Sequence, residues 1–303
     1  MRKEFCEGMC RICDNASLVF LTGDLGYGVL EPLRDRLRDR FINAGVAEQN
    51  MVSCGAGLAR CGFRPWLYSI APFLYARAFE QIRNDVCLHN LPVVLVGNGG
   101  GYGYGVMGAT HHAIEDYGVL LCLPSLKIVI PAFDADLRAV LPKLIESSSP
   151  AYLRMGVQDP EWRGGSPCYQ PWRRVLAGGN GNLVAVGPLA GLYWSVFQGA
   201  VFEDRPSIWA LCELPMVDVP QELLAGIESG AATVFAEEHV AIGSAGHQFV
   251  ACLVKKNISM KKFIHLTAAG YPSGRYGSQA FHRAESGLCG ESVRGIFHAL
   301  KAD

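Results

Sequence analysis

No stretch of about 18 apolar residues occurs in this chain, so nothing in it reads as a membrane-spanning helix. Basic residues are not in excess: 27 Lys and Arg stand against 28 Asp and Glu, which leaves no stripe for nucleic acid. No acidic tail argues for disorder. Charge itself is scarce, at 18% of residues, whereas half are hydrophobic, so core material is ample. With net charge near zero, a partner covering apolar surface is expected. The cysteines lack a framework. There are 11, an odd and scattered set, which points to free thiols and a reducing, cytoplasmic setting. No apolar run of signal-peptide type follows Met-Arg-Lys-Glu-Phe. No internal repeat shows at a short period.

What the chain does have is glycine, 35 residues of it, and short apolar runs that alternate with helical periods. Strands are predicted at 18–22, 40–43, 64–69, 92–98, 126–131 and 151–155. Helices are predicted at 2–14, 50–60, 73–89, 117–121 and 134–146. After a polar stretch rich in glycine and proline, strands at 182–186, 209–211 and 233–236 and helices at 192–201 and 245–254 begin again. This alternation predicts an α/β chain of two open α/β units. The division is 1–157, a linker over 158–180, and 181–303. The glycine-rich stretch 97–108 follows a strand's carboxyl end, where such folds bind ligands, and reads as a flexible loop.

Two features carry candidate chemistry. Cys6, Cys10 and Cys13 have the spacing of iron–sulfur cluster ligands, but the same spacing marks one face of a buried helix. Glu48, in Val46-Ala47-Glu48-Gln49, opens a helical run of small residues that permits close packing. A carboxylate between apolar neighbours shares a proton near neutrality; the plainer reading is an acid favoured by the helix dipole.

Gly45-Val46-Ala47-Glu48-Gln49, then Gly57-Leu58-Ala59, Pro65 and Phe73-Leu74, resemble the pyrimidine-binding domain of thiamine-diphosphate enzymes. Thr110-His111, Pro124, Pro131, Arg154, Glu237-Glu238-His239 and Gly243-Ser244-Ala245-Gly246 continue the match over almost the whole chain. The likeness is to transketolase, 1-deoxyxylulose-5-phosphate synthase and the β subunits of 2-oxoacid dehydrogenases. It implies a pyrimidine-binding domain followed by a transketolase C-terminal-like domain. Glu48 then stands at the glutamate that protonates the cofactor's pyrimidine nitrogen. Phe73 and Phe79 match rings that stack on the aminopyrimidine; between them transketolase has a further aromatic, where this chain has Ala76, and Tyr75 is a candidate stand-in. His111 matches a histidine that contacts donor oxygens. Arg154 matches a phosphate-binding arginine, and Arg2 a second one. A strand-end arginine in an ordinary ion pair is the alternative for Arg154.

The chain also departs from the pattern. Met107 replaces an aspartate, Gly99 a histidine and Gly28 a serine, each a polar contact to sugar or phosphate. His112 stands for a glutamine. The diphosphate- and metal-binding signature is absent. The resemblance therefore implies the β-type subunit of a split transketolase, moving a two-carbon ketol unit. A diphosphate-binding partner subunit would hold Mg²⁺ or Ca²⁺, no metal being bound by this chain. An α2β2 assembly with β–β pairing through the Glu48 helix is expected, acting on a sugar, sugar phosphate or related keto substrate. The alternatives are a subunit like 2-oxoacid dehydrogenase β or 1-deoxyxylulose-5-phosphate synthase, a non-catalytic regulatory subunit of the same fold, and an iron–sulfur radical enzyme.

Overall fold

The apolar runs at Leu18–Thr22, Val94–Asn98, Ala151–Met155, Asn182–Val186 and Ser207–Leu211 form strands buried along their length, as parallel strands covered by helices on both faces must be, whereas the edge strand Phe41–Asn43 is partly exposed. A computed structural model describes residues 1–157 and 168–302. The strands are β1 (Leu18–Thr22), β2 (Phe41–Asn43), β3 (Arg64–Ile70), β4 (Val94–Asn98), β5 (Lys127–Val129), β6 (Ala151–Met155), β7 (Trp172–Leu176), β8 (Asn182–Val186), β9 (Ser207–Leu211), β10 (Glu213–Leu214), β11 (Thr233–Ala236) and β12 (Phe263–Leu266). They make a seven-stranded sheet, ordered β10-β5-β6-β4-β3-β1-β2, and a five-stranded sheet, ordered β12-β11-β8-β9-β7. All pairings are parallel except β10 with β5 and β7 with β9. The fold is thus α/β with two parallel-dominated sheets.

Side chains alternate across the first sheet with the period of two that strands impose. Phe20, Trp66 and Tyr68 pack on one face with Phe5 and Met9 of helix α1 (Arg2–Ile12) and Leu33 of α2 (Glu31–Leu37). Val19, Leu21 and Leu67 pack on the other with Met51, Val52 and Ala56 of α3 (Glu48–Arg60). Cys6 and Cys13 lie buried on α1 and just past its end, and burial pushes the Cys6 thiol up to about 11. All the cysteines are free thiols. Among the described residues, no three His, Cys, Asp or Glu side chains stand together as metal ligands.

The small residues of α3 serve two purposes. A Cβ on Gly55 would meet the Leu67 side chain at 2.9 Å, so this glycine lets the helix settle onto β3. Gly57 faces outward with open space around it. Beside that outer face runs an apolar groove of about 460 Å³ lined by residues that include Leu21, Ile42, Met51, Leu58 and Phe63.

Two expectations need correcting, and one strand pairing is new. The helix expected over 73–89 is broken into α4 (Ala71–Tyr75), a turn at Phe79–Gln81 and a π-helical turn at Ile82–Cys87. Pro72 starts α4 early, in the first turn where proline is tolerated. The stretch 158–180 contains strand β7, so the chain already belongs to the second sheet there; residues 158–167 lie outside the described residues. Strand β10 crosses back to the edge of the first sheet, pairing Glu213 with Val129 and Leu214 with Ile128. One apolar core accordingly runs through both sheets, with Ile128 and Ile130 in the same cluster as Val184, Leu211 and Phe249. No helix among the described residues is long and apolar enough to cross a membrane.

Candidate active site

The carboxyl ends of β1, β3 and β4 bring the candidate residues together, the edge at which open α/β sheets bind ligands. Beyond β2 the chain turns at Gly45, whose φ of +71° suits glycine and whose N–H donates to the Asn43 side chain at 2.9 Å. Helix α3 then opens on Glu48, which is 1% exposed. The wall around this carboxylate is polar, not apolar as its sequence neighbours imply. Ser69 Oγ, near the end of β3, donates to Glu48 Oε1 at 2.9 Å. Arg77 Nη1 donates to Oε2 at 2.6 Å. A buried carboxylate without such donors is strongly disfavoured, which accounts for both partners. Gly23 crowds the same spot: a Cβ there would lie 3.3 Å from both Glu48 Oε1 and Ser69 Oγ.

Arg77 also lies over the Phe73 ring, 4.7 Å from its centroid. The other side of the row continues through His111, whose ring meets the edge of Phe73 at 5.0 Å. Thr110 Oγ1 is 3.0 Å from His111 Nδ1. Glu48, Arg77, Phe73 and His111 therefore form one continuous series. Phe79, by contrast, packs against the core beneath. Tyr75 is buried and donates to Glu115 Oε2 at 3.1 Å, so it does not stand in for the aromatic absent at Ala76. Burial, with Asp116 and Glu115 nearby, pushes its phenol far up.

The glycine-rich stretch is pinned, contrary to the flexible loop expected. Gly99 and Gly100 N–H both donate to Met155 O, at 3.0 and 2.9 Å, and Gly101 and Ala113 exchange backbone bonds at 2.9 and 2.8 Å. Glycine is needed here because backbone runs against side chains: a Cβ on Gly100 would meet Arg154 Cγ at 2.7 Å. A segment from the second unit covers the stretch. Tyr271 OH donates to Ala109 O at 3.2 Å, and its ring stacks on His112 at 5.3 Å. His112 is 3% exposed and also meets Tyr102 and His282, at 5.1 and 4.7 Å. Burial holds the His112 imidazole below its usual pKa, against the Gly105 carbonyl, which favours the charged form.

Arg154 does not reach this edge. It is buried, with Nε donating to Asp116 Oδ2 at 2.7 Å and Nη2 to Ala113 O and Glu238 O at 2.8 and 3.0 Å. Of the two expectations for Arg154, the ion pair is the one this geometry supports, and the phosphate contact is not. Arg154 and the neighbouring Tyr117 lock the two units together. Tyr117 OH donates to Glu237 and stacks on His239 at 3.9 Å, and Gly118 N–H donates to His239 Nε2 at 3.0 Å. Burial pushes the Glu237 carboxyl up, but donors from His265, Tyr117 and the Gly246 N–H outweigh it and hold the pKa low.

Arg2 is half-buried, and among the described residues no ion pair joins it to a carboxylate. Its Nε is buried and unpaired. Met107 is 52% exposed, and a Cβ on Gly28 would meet open space. The space above Gly99 is not open, because a Cβ there would run into the Tyr104 ring. Sequence reasoning missed Ser69, Arg77, Tyr104 and Asp116. Only Arg77 left a signal: it stands four residues after Phe73, one helical turn on.

Residues 1–160 match the family described as transketolase, pyrimidine binding domain. An apulose-4-phosphate transketolase subunit of Actinobacillus succinogenes is 31% identical over 227 residues, covering 72% of this chain and 71% of that one. The 1-deoxy-D-xylulose-5-phosphate synthase of Nitratidesulfovibrio vulgaris is 29% identical across 98% of this chain and 48% of its own length. The chain thus spans about half of that relative. A solved structure described as a split gene transketolase, inactive beta4 tetramer, superposes with TM-score 0.82 at 26% identity, covering 99% of this chain and 98% of that one.

Proposed function

Since this chain belongs to the family of the transketolase pyrimidine-binding domain, we propose that it is the β-type subunit of a split, thiamine-diphosphate-dependent transketolase. The observation that carries the reading is Glu48, buried at the carboxyl edge of the sheet with a half-buried aromatic ring, Phe73, in the same series. A buried carboxylate and an aromatic face fit the pyrimidine half of thiamine diphosphate. The relative named as a transketolase subunit supports a partner subunit, to which the diphosphate with its Mg²⁺ or Ca²⁺ falls on this reading. The division into a pyrimidine-binding part over 1–157 and a transketolase C-terminal-like part over 181–303 belongs to the same proposal, with β7 assigned to the second part. The full-length superposition on a split β chain supports it.

Bound thiamine diphosphate supplies a nucleophilic carbanion at its thiazolium carbon. Glu48 holds and moves the proton at the pyrimidine ring nitrogen. Ser69 fixes one Glu48 oxygen, which leaves the other to Arg77 until the ring arrives. Arg77 occupies both Glu48 and Phe73, and its half-exposed side chain could swing to solvent where a bound ring would need that space. Phe73 stacks on the ring, and stacking of that kind contributes about 1 kcal/mol beyond area burial. His111 stands next in the series and contacts donor oxygens. Self-association uses the outer face of α3 and its apolar groove, toward an α2β2 assembly.

The test is reconstitution with a diphosphate-binding partner. Alone, the chain should bind thiamine diphosphate weakly or not at all by calorimetry. The assembled pair should bind it and transfer a two-carbon ketol unit between sugars. An active pair that uses pyruvate as donor and gives no ketol transfer would assign it instead to the 1-deoxyxylulose-5-phosphate synthase type, a reading favoured by the match to that enzyme over 98% of this chain. An inert pair that nonetheless binds the cofactor would leave a non-catalytic subunit.

A further inference from the structure

His111 sits on a turn that the first sheet unit does not hold alone. The turn is Ala109–His111, a single turn of 3₁₀ helix. Two backbone bonds close it: His111 N–H donates to Gly108 O at 3.0 Å, and His112 N–H donates to Ala109 O at 3.2 Å. Each of those acceptor residues is also met by a tyrosine from the second unit. Tyr271 OH donates to Ala109 O at 3.2 Å, the same oxygen that ends the turn. The Tyr276 ring lies over Gly108, where an added Cβ would come to 2.0 Å from it. The face of Tyr271 stacks on His112, the next residue along, at 5.3 Å.

Both tyrosines belong to one strap, residues 270–276, which lies between β12 and the helix Gln279–Glu285. The base of the strap is fixed to the first unit, because Tyr102, fully buried, donates its OH to Gly270 O at 3.2 Å. The outer side faces solvent: Tyr271 is 43% exposed and Tyr276 72%. The space between strap and turn is about 110 Å³, room for a few water molecules, so the two bear closely on each other. What the strap holds is aimed at the site. Thr110 Oγ1 lies 3.0 Å from His111 Nδ1, and the His111 ring meets the edge of Phe73 at 5.0 Å. A short exposed turn opens readily unless it is tied down, and a site residue displaced by about 1 Å loses much of its effect.

We infer that Tyr271 is a positioning residue for His111, so that the second unit takes part in the substrate site without touching substrate. The role of His111 itself rests on the transketolase reading; how it is held rests on these contacts alone.

Activity is read on the pair assembled with its partner, with β-hydroxypyruvate as ketol donor and glycolaldehyde as acceptor. Tyr271→Ala should raise the donor KM about tenfold and leave kcat and the acceptor KM within about twofold, the pattern of lost binding. Tyr271→Phe, which keeps the ring on His112 and loses only the bond to Ala109, should raise the donor KM about threefold. Added to His111→Ala, Tyr271→Ala should change the donor KM by less than about twofold, because a residue that acts through another then has nothing to act on. A tyrosine that merely stabilised the fold would give multiplicative effects instead. Placement is read without turnover, from the imidazole NMR signal that His111→Ala removes. That signal should shift in Tyr271→Ala and lie most of the way back to wild type in Tyr271→Phe. An unshifted His111 signal, an unchanged donor KM in an active pair, or multiplicative effects of the two changes would each overturn the inference. If the signal shifts as stated while the wild-type pair transfers no ketol unit, the transketolase reading fails and the positioning of His111 by Tyr271 stands.

Discussion

Two carboxylate–guanidinium pairs are buried in the first sheet unit, Glu48 with Arg77 and Asp116 with Arg154, and they are built in opposite ways. In the first, the carboxylate is 1% exposed but the arginine side chain is 41% exposed. In the second, both side chains are sealed, at 0% and 4%. Arg154 spends its donors on Asp116 and on two carbonyls, one from each unit, and Tyr152 OH donates to Asp116 as well. Among the described residues Arg77 meets Glu48 and the face of Phe73. A sealed pair cannot exchange its partner without unfolding, because each ion would be left in a medium of low dielectric. A pair open on one side can, because water replaces the arginine as it leaves. The difference separates a site from a scaffold even though the residue types are the same.

The sharpest test removes the proton carrier. Glu48→Gln should lower turnover of the assembled pair by at least about a hundredfold, the lower end of general acid–base contributions. Its melting temperature should stay within a few degrees of wild type, since glutamine keeps the shape and the Ser69 bond. Retained turnover would remove Glu48 from the mechanism. Next comes Arg154→Met, which strands Asp116 inside the protein and should cost about 3–5 kcal/mol in urea unfolding. Adding Asp116→Asn to it should recover part of that loss. Arg77→Ala should cost less, about 2 kcal/mol, because water can enter from the half-exposed Arg77 side to solvate the Glu48 oxygen it leaves. If Arg77→Ala proved as destabilising as Arg154→Met, the distinction between the two pairs would fail.

The smallest effect concerns acid. The His112 imidazole has its folded pKa depressed by burial, so the unfolded chain binds the proton more readily. Its contribution is fully present above the unfolded value, about 6.5, and is lost as pH falls toward the folded value. Lowering pH from neutrality should therefore loosen the segment of Tyr271 over the glycine-rich stretch before it unfolds the sheets. Hydrogen exchange of that segment reads this directly, and His112→Gln should flatten the response.

Much of the site is legible in the sequence because it lies in local patterns. The run from Gly45 to Gln49 places Glu48 at a helix start, and α3 does open there. Thr110-His111 and Phe73 belong to one motif series, and the structure sets the His111 and Phe73 rings 5.0 Å apart. Arg154 misleads because a strand-end arginine looks the same whether it faces a ligand or the interior. Its fate is decided by Asp116, 38 residues away, on a short helix. The polar wall around Glu48 is likewise invisible, since Ser69 and Arg77 come from elements 21 and 29 residues further along.

By itself the sequence determined the α/β class, six of the seven strands of the first sheet and the acid at the head of α3. These rest on periodicity and short spacing, which act between near neighbours in the chain. Only the tertiary structure decided that β10 returns to the first sheet, that Arg154 is sealed while Arg77 is open, and that Tyr104 takes the space above Gly99. Those outcomes depend on which distant groups meet and how much water remains between them. Burial of that kind belongs to the assembled fold and is written in no local run of residues.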